Sequence, residues 1–258
     1  MKSELPKVIL LLAGEGKRLR PYTLDRPKCM VEIDGVSLID HQLRVLRSEG
    51  LNDIVMVSGY KSEMLERFNC RLKHNPRYFE TNMVWTLFCA KDELEGDVIV
   101  SYGDIVYSKD ILKALLNSKA DIAITIDKNW ESYWRKRNDN PLDDSETLKI
   151  RGDGTISEIG QKPKSIEEIQ GQYMGLMKFS SVGIKQIKDV FDVALKKGSL
   201  LGHDIENAYM TDLIQAVINT GEPVTSIPIY ESWVEVDTVK DLKSNTTKDR
   251  LLSITGNE

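Results

Sequence analysis

The sequence predicts an α/β fold built on a doubly wound, mainly parallel sheet. Three observations carry that expectation. Short uninterrupted apolar runs recur, as in Val8–Ala13, Ile54–Val57 and Val98–Val100, and such runs fit strands covered on both faces. Segments with helical apolar spacing alternate with them, and a βαβα rhythm implies parallel strands joined by right-handed crossovers. At 258 residues, 41% hydrophobic and 29% charged, the chain can build one large α/β domain with a modest insertion.

Val8–Ala13 is the first strand and runs into Gly14-Glu15-Gly16-Lys17-Arg18-Leu19-Arg20-Pro21, with Pro27-Lys28-Cys29-Met30 soon after. Val31–Gly35 reads as a small strand and turn. Ser37 caps a helix carrying Leu38, Ile39, Leu43, Val45 and Leu46, which stops near Gly50. Asp53–Tyr60 is a second strand, Lys61–Phe68 a helix and Leu72–Pro76 a brief extended piece. A helix follows over Asn82–Ala90, capped by Thr81 or Asn82. Asp97–Asp104 is a central strand ending in Gly103-Asp104, followed by a helix over Ile111–Asn117 and a strand over Asp121–Ile126. Residues 127–146 break the rhythm and read as an inserted lid at the carboxyl edge of the sheet. Leu148–Ile150 and Thr155–Gly160 form a hairpin around Asp153-Gly154. A strand over Gln172–Phe179, helices over Ser181–Lys197 and Ala208–Thr220, and strands over Val224–Ile229 and Trp233–Val236 complete the order. Residues 238–258 form a C-terminal helix and tail. With no repeat or low-complexity linker, residues 1–258 are expected to form one domain, a Rossmann-like mixed sheet with a β-hairpin and a lid.

The net charge of −5 argues against nonspecific nucleic-acid binding, which needs a basic surface. No segment approaches the roughly 18–20 apolar residues of a membrane span. The stretch from Lys2 to Ala13 mimics a signal peptide, but its apolar core is short and no small-residue cleavage site follows. Cys29, Cys70 and Cys89 are odd in number and far apart, which points to a reducing cytoplasm. His41, His74 and His203 are scattered and read as structural or surface residues. Oligomeric state is not written in the sequence.

The glycines after the first strand bare the backbone beside Lys17, Arg18, Arg20 and Lys28. Taken alone, this fits either an anion cradle or a tight turn with solvated cations. It is not a dinucleotide fingerprint, since Leu19 stands where a third small residue is needed, and it lacks the Gly-Lys-Ser/Thr of a Walker loop. The longer pattern Leu12-Ala13-Gly14-x-Gly16-x-Arg18-Leu19-x-Pro21, Thr23, then Pro27-Lys28-x-Met30 resembles the signature of nucleotidyltransferases that join a nucleoside monophosphate to a phosphorylated small molecule. The resemblance implies a Mg²⁺-dependent enzyme. Arg18, Lys28 and Asp104 would be catalytic, with Arg18 on the triphosphate and Lys28 on the reacting α-phosphate. Asp104 and Asp237 would bind the metal, with Glu235 supporting them. As plain residues, both aspartates read equally well as helix caps after strands. Leu12, Ala13, Gly14, Gly16 and Lys17 would join Arg18 and Lys28 around the nucleotide, with Gly59, Tyr60, Thr81 and Asn82 near base and ribose.

Within the family, the chain is most similar to small cytidylyltransferases acting on phosphocholine, aminoalkylphosphonates or phosphoglutamine, through Thr81-Asn82-Met83-x-Trp85 and the aromatic insertion. Its partners would then be CTP and a phosphorylated acceptor. Lys162 matches a family lysine on the acceptor phosphate. Trp130, Tyr133 and Trp134 fit either a wall for a cationic head group or packing of the insertion, with Asp143, Asp144 or Glu146 balancing an amine. Tyr173 and Gly175 are further acceptor candidates. Gln172-Tyr173-Met174-Gly175 replaces the Glu-Tyr-x-Gly usual in sugar-1-phosphate enzymes, which leaves a sugar-1-phosphate thymidylyl-, uridylyl- or guanylyltransferase as the sibling alternative. A non-catalytic regulatory subunit of this fold is the alternative from another class.

Overall fold

The computed structural model describes residues 5–256. Lys2 and the last two residues of the 238–258 segment lie outside them. The strands, in chain order, are β1 (Lys7–Leu12), β2 (Glu32–Ile33), β3 (Val36–Ser37), β4 (Ile54–Ser58), β5 (Arg71–His74), β6 (Val98–Tyr102), β7 (Ile105–Tyr107) and β8 (Ile122–Asp127). They continue with β9 (Leu148–Ile150), β10 (Ile156–Ile159), β11 (Gln172–Phe179), β12 (Ser199–Leu200), β13 (His203–Asp204), β14 (Thr225–Ile229) and β15 (Trp233–Glu235). The helices are α1 (Leu38–Ser48), α2 (Met83–Phe88), α3 (Lys109–Asn117), α4 (Trp130–Arg137), α5 (Ser181–Lys197), α6 (Met210–Asn219), α7 (Val239–Lys243) and α8 (Asn245–Thr255).

Seven strands form the central sheet in the order β14-β8-β11-β6-β1-β4-β5. Only β11 runs against the others, pairing antiparallel with both β6 and β8, so the sheet is mixed but mainly parallel. The apolar run of β1 divides between the two faces. Ile9 and Leu11 pack with α2, α5 and α6, whereas Val8, Leu10 and Leu12 pack with α1, α3 and α4. That alternation is the strand's period of two read through a sheet covered on both sides. Full burial of one such side chain stabilises the fold by about 1.5–3 kcal/mol.

Several local expectations change. Lys61–Phe68 is not an α-helix but a 3₁₀ run from Ser62 to Phe68, bounded by left-handed Lys61 and Asn69. Asn82 precedes α2 but does not cap it, because its amide donates to the carbonyl of Asn207 at 2.7 Å instead. The C-terminal helix divides at Ser244, which ends α7 and whose Oγ accepts from Thr246 N–H at the start of α8.

The first half of the 127–146 insertion packs into the core. This half is α4, with Trp130, Tyr133 and Trp134 all under 5% exposed. Tyr133 and Trp134 pack on Trp233 of β15, with ring centroids at 5.7 and 6.2 Å, and Trp130 packs on Trp134 at 6.2 Å. Trp233 in turn donates from Nε1 to Asp127 at 2.8 Å. No helix among the described residues is long and apolar enough to cross a membrane.

Candidate active site

The strand ends β1, β6 and β15 converge at the carboxyl side of the sheet, where open α/β folds place their ligands. Beyond β1 the chain turns through Gly16, whose φ of +63° and whose closeness to Lys28 (an added Cβ would lie 3.1 Å from that side chain) both favour glycine. Thr23 Oγ1 donates to Gly16 O at 2.8 Å, and Lys28 N–H donates to Gly14 O at 3.3 Å. The loop is thereby folded back so that Lys28 lies beneath it. Gly14, Gly16, Lys17, Arg18, Lys28 and Leu12 line a cavity of about 480 Å³ together with Tyr78, Phe79 and Asp104.

At the floor, Asp104, Glu235 and Asp237 bring one carboxylate oxygen each within 4.8 Å of one another. Lys28 Nζ bridges the aspartates, 2.6 Å from Asp104 Oδ2 and in direct contact with Asp237 Oδ1. Arg18 reaches Asp237 Oδ1 at 3.2 Å. Burial works against the charge of Lys28, yet Asp104 and Asp237 hold its ammonium above the ordinary lysine range. Burial likewise opposes ionisation of Asp237, but Lys28, Arg18 and Arg137 hold its carboxyl below the usual range. Glu235 is pushed up by burial, against the pull of Arg137. Asp104 Oδ1 is buried with no hydrogen-bond partner among the described residues. A free buried carboxylate oxygen beside two more carboxylates is the hard-oxygen donor set that suits Mg²⁺.

A second cavity of about 430 Å³ opens on the other side of the same floor. Both cavities touch Met83, Tyr102, Tyr209, Glu235 and Asp237, so the carboxylates stand at the junction of one two-sided cleft. Lys162 and Tyr173 line the second side, and Lys162 Nζ donates to the carbonyls of Leu142 (2.5 Å) and Asp143 (2.9 Å).

The sequence model of the MobA-like NTP transferase domain matches residues 8–174. The chain belongs to that family. This NTP transferase is 39% identical over 251 residues to the CTP:phosphoglutamine cytidylyltransferase of Campylobacter jejuni, covering 93% of this chain and 99% of that one. It is 33% identical over 105 residues to the choline-phosphate cytidylyltransferase of Streptococcus pneumoniae, covering 39% and 46% of the two chains. The solved CTP:phosphocholine cytidylyltransferase of Streptococcus pneumoniae superposes with a TM-score of 0.74 at 22% identity, over 95% of this chain and 99% of that one. The inositol-1-phosphate CTP transferase of T. maritima does so with a TM-score of 0.74 at 20% identity, over 96% and 95%. These superpositions bear on the fold alone.

The NTP transferase's cleft does not contain every expected side chain. Ala13, Gly59, Tyr60, Thr81 and Asn82 stand behind the first cavity rather than lining it. Tyr60 N–H donates to Ala13 O at 3.1 Å and its hydroxyl to Leu24 O, while Thr81 Oγ1 donates to Arg77 O at 2.8 Å. Of the three insertion aromatics, only Trp134 reaches the second cavity; Trp130 and Tyr133 are core. Gly175 lines neither cavity. With φ +84°, it gives room to the Tyr102 ring, which an added Cβ would meet at 2.5 Å.

Phe79, Thr211 and Arg137 are not singled out by the sequence, whereas Glu146 is one of the three acids it offers for an amine. Phe79 is 59% exposed and lines the first cavity. Glu146 and Thr211 line the second. Arg137 is buried against Glu235 (in contact through Nη1), Asp241 (3.0 Å) and Asp237 (3.6 Å). Its signal was present, since Trp130, Tyr133, Trp134 and Arg137 follow helical spacing and therefore share one face.

Proposed function

We propose that this NTP transferase moves CMP from CTP to a small phosphorylated acceptor of the phosphoglutamine type and releases pyrophosphate. The single observation that carries the reading is the near full-length similarity to the CTP:phosphoglutamine cytidylyltransferase. The two-sided cleft agrees with it. The cavity under the glycine loop takes the nucleotide, with Arg18 and Lys28 on its phosphates, and the cavity at Lys162 takes the acceptor. An acceptor phosphate is already an anionic nucleophile at neutral pH, so no protein base is needed. Its oxygen forms the new bond to the α-phosphorus as the bond to pyrophosphate breaks, and the pyrophosphate keeps the electron pair. The chain contributes positioning and positive charge, which dominate catalysis of phosphoryl and nucleotidyl transfer. Asp104 and Asp237 would hold the Mg²⁺. When bound, the ion supplies charge neutralisation on the α-phosphate and the departing pyrophosphate.

We further assign residues 5–256 to one domain, because a single sheet draws strands from Lys7 through Ile229. We also propose a cytoplasmic setting, supported by three cysteines that form no disulfide. The reading is tested by pyrophosphate release from CTP, UTP, GTP and dTTP, each offered with phosphoglutamine, phosphocholine, 2-aminoethylphosphonate and glucose-1-phosphate. Turnover with CTP and a nitrogen-bearing acceptor is expected. Turnover confined to glucose-1-phosphate would replace the reading with the sugar-phosphate alternative, and none with any pair would leave a non-catalytic member of the family.

A further inference from the structure

Glu146 is the largely buried acid of the second cavity that has no opposite charge. Its backbone is pinned by Gln172, whose Nε2 donates to Glu146 O at 2.7 Å and whose Oε1 accepts from Glu146 N–H at 3.5 Å. Thr147, next in the chain, exchanges hydrogen bonds with the Gly160–Gln161 backbone at 3.1 and 2.8 Å. The side chain so fixed meets Thr211 Oγ1 at 3.5 Å, a long contact for a carboxylate. It forms no ion pair among the described residues. Burial pushes its carboxyl up to about 7, Thr211 opposing and Asp212 and Asp144 adding to the rise. Asp143 and Asp144, the other acids of this segment, are more exposed than Glu146. A buried acid without a partner is costly, and in a cleft it marks the place where a ligand supplies the partner.

The cavity has a direction. At one end stand Glu235 and Asp237, at the floor where the transferred phosphoryl group must lie, and Glu146 lies along the same cavity. Building on the cytidylyltransferase reading above, we infer that Glu146 is the specificity-determining residue for the acceptor and takes a primary ammonium group remote from the acceptor's phosphate. A sugar hydroxyl would occupy a lone pair of Glu146 but leave its charge unbalanced. An ammonium answers both the charge and the hydrogen bond. Lys162, tied to the carbonyls of Leu142 and Asp143, keeps a separate positive charge on the same cavity for the acceptor's anionic end.

The test compares 2-aminoethyl phosphate (primary ammonium), phosphocholine (quaternary, with no N–H) and ethyl phosphate (no nitrogen) as acceptors with CTP. The full-length wild type and Glu146→Gln are each assayed for pyrophosphate release. The wild type is expected to favour 2-aminoethyl phosphate over ethyl phosphate by at least ~30-fold in kcat/KM, as for a buried charge pair. In Glu146→Gln that ratio should collapse toward one, through the acceptor and not through the KM for CTP. Phosphocholine should fall between the two. A wild-type ratio near one, or a Gln variant that keeps the preference, would overturn the inference while leaving the cytidylyltransferase reading in place. No pyrophosphate release with these acceptors or with phosphoglutamine would bring down both. Should Glu146→Gln fail to fold, Glu146→Asp and the wild-type ratio decide. Retraction of the carboxylate by one methylene must then lower the preference for the ammonium.

Discussion

Lys28 Nζ bridges Asp104 and Asp237, in contact with both. Its charge is thus held ready beside the nucleotide cavity without any ligand. The opposite situation holds at Glu146, and it has a stability cost that can be measured. A carboxyl raised from its ordinary value to about 7 binds its proton more tightly when folded. Stability is therefore unaffected by this group below about pH 4.5 and falls as pH rises toward 7, with the full cost present above that. Glu146→Gln, which cannot ionise, should be more stable than wild type by about 1–3 kcal/mol at pH 8 and no more stable at pH 4.5. Urea denaturation at the two pH values measures this. Equal midpoint differences at both would show that Glu146 already has a compensating partner.

At the scale of elements, α4 explains why the 127–146 segment is present beside the site. The helix buttresses the end of β15. Its aromatic face packs on Trp233, and its last residue, Arg137, binds Glu235, Asp237 and Asp241 around the end of β15. Removing the cation from such a buried network leaves carboxylates uncompensated, at a cost of about 3–5 kcal/mol. Arg137→Met should lose about that much stability in guanidinium unfolding. Arg137→Lys should recover only part, because an ammonium cannot serve three carboxylates with a planar fork. A Met variant as stable as wild type would mean that water already solvates the network. Across the cleft, Arg77 and Glu206 form a bidentate pair at 2.6 Å on each arm and Asn82 N–H meets Glu206 O, so the loop beside Phe79 is tied to the loop before Tyr209.

For the whole molecule, the cleft lies between parts far apart in sequence, so ligand binding at the carboxylate floor should couple to global unfolding. Mg²⁺ with CTP well above its dissociation constant should raise the wild-type Tm by about 5 °C. Asp104→Asn and Asp237→Asn should each show less than half that rise. The same rise in both variants would remove the metal assignment.

Although β7, α4 and the β12–β13 pair were not read from it, the sequence alone determined the strands of the central sheet, helices α1, α2, α3, α5 and α6, and the glycine loop with Arg18 and Lys28. Each is encoded in a contiguous stretch, by apolar period, turn residues or motif spacing. Asp104 and Asp237 are named through the family resemblance, since as plain strand-end residues they read equally well as helix caps. The fate of Trp130, Tyr133 and Trp134 was not determined in that way, since an amphipathic aromatic face fits either a ligand or a core until Trp233 is placed beside it. Arg137 finds Glu235 and Glu146 finds Thr211 across sequence separations of 98 and 65, only once the chain between them has folded. Charge balance in a buried site is a property of that assembled neighbourhood, and only the tertiary structure decides it.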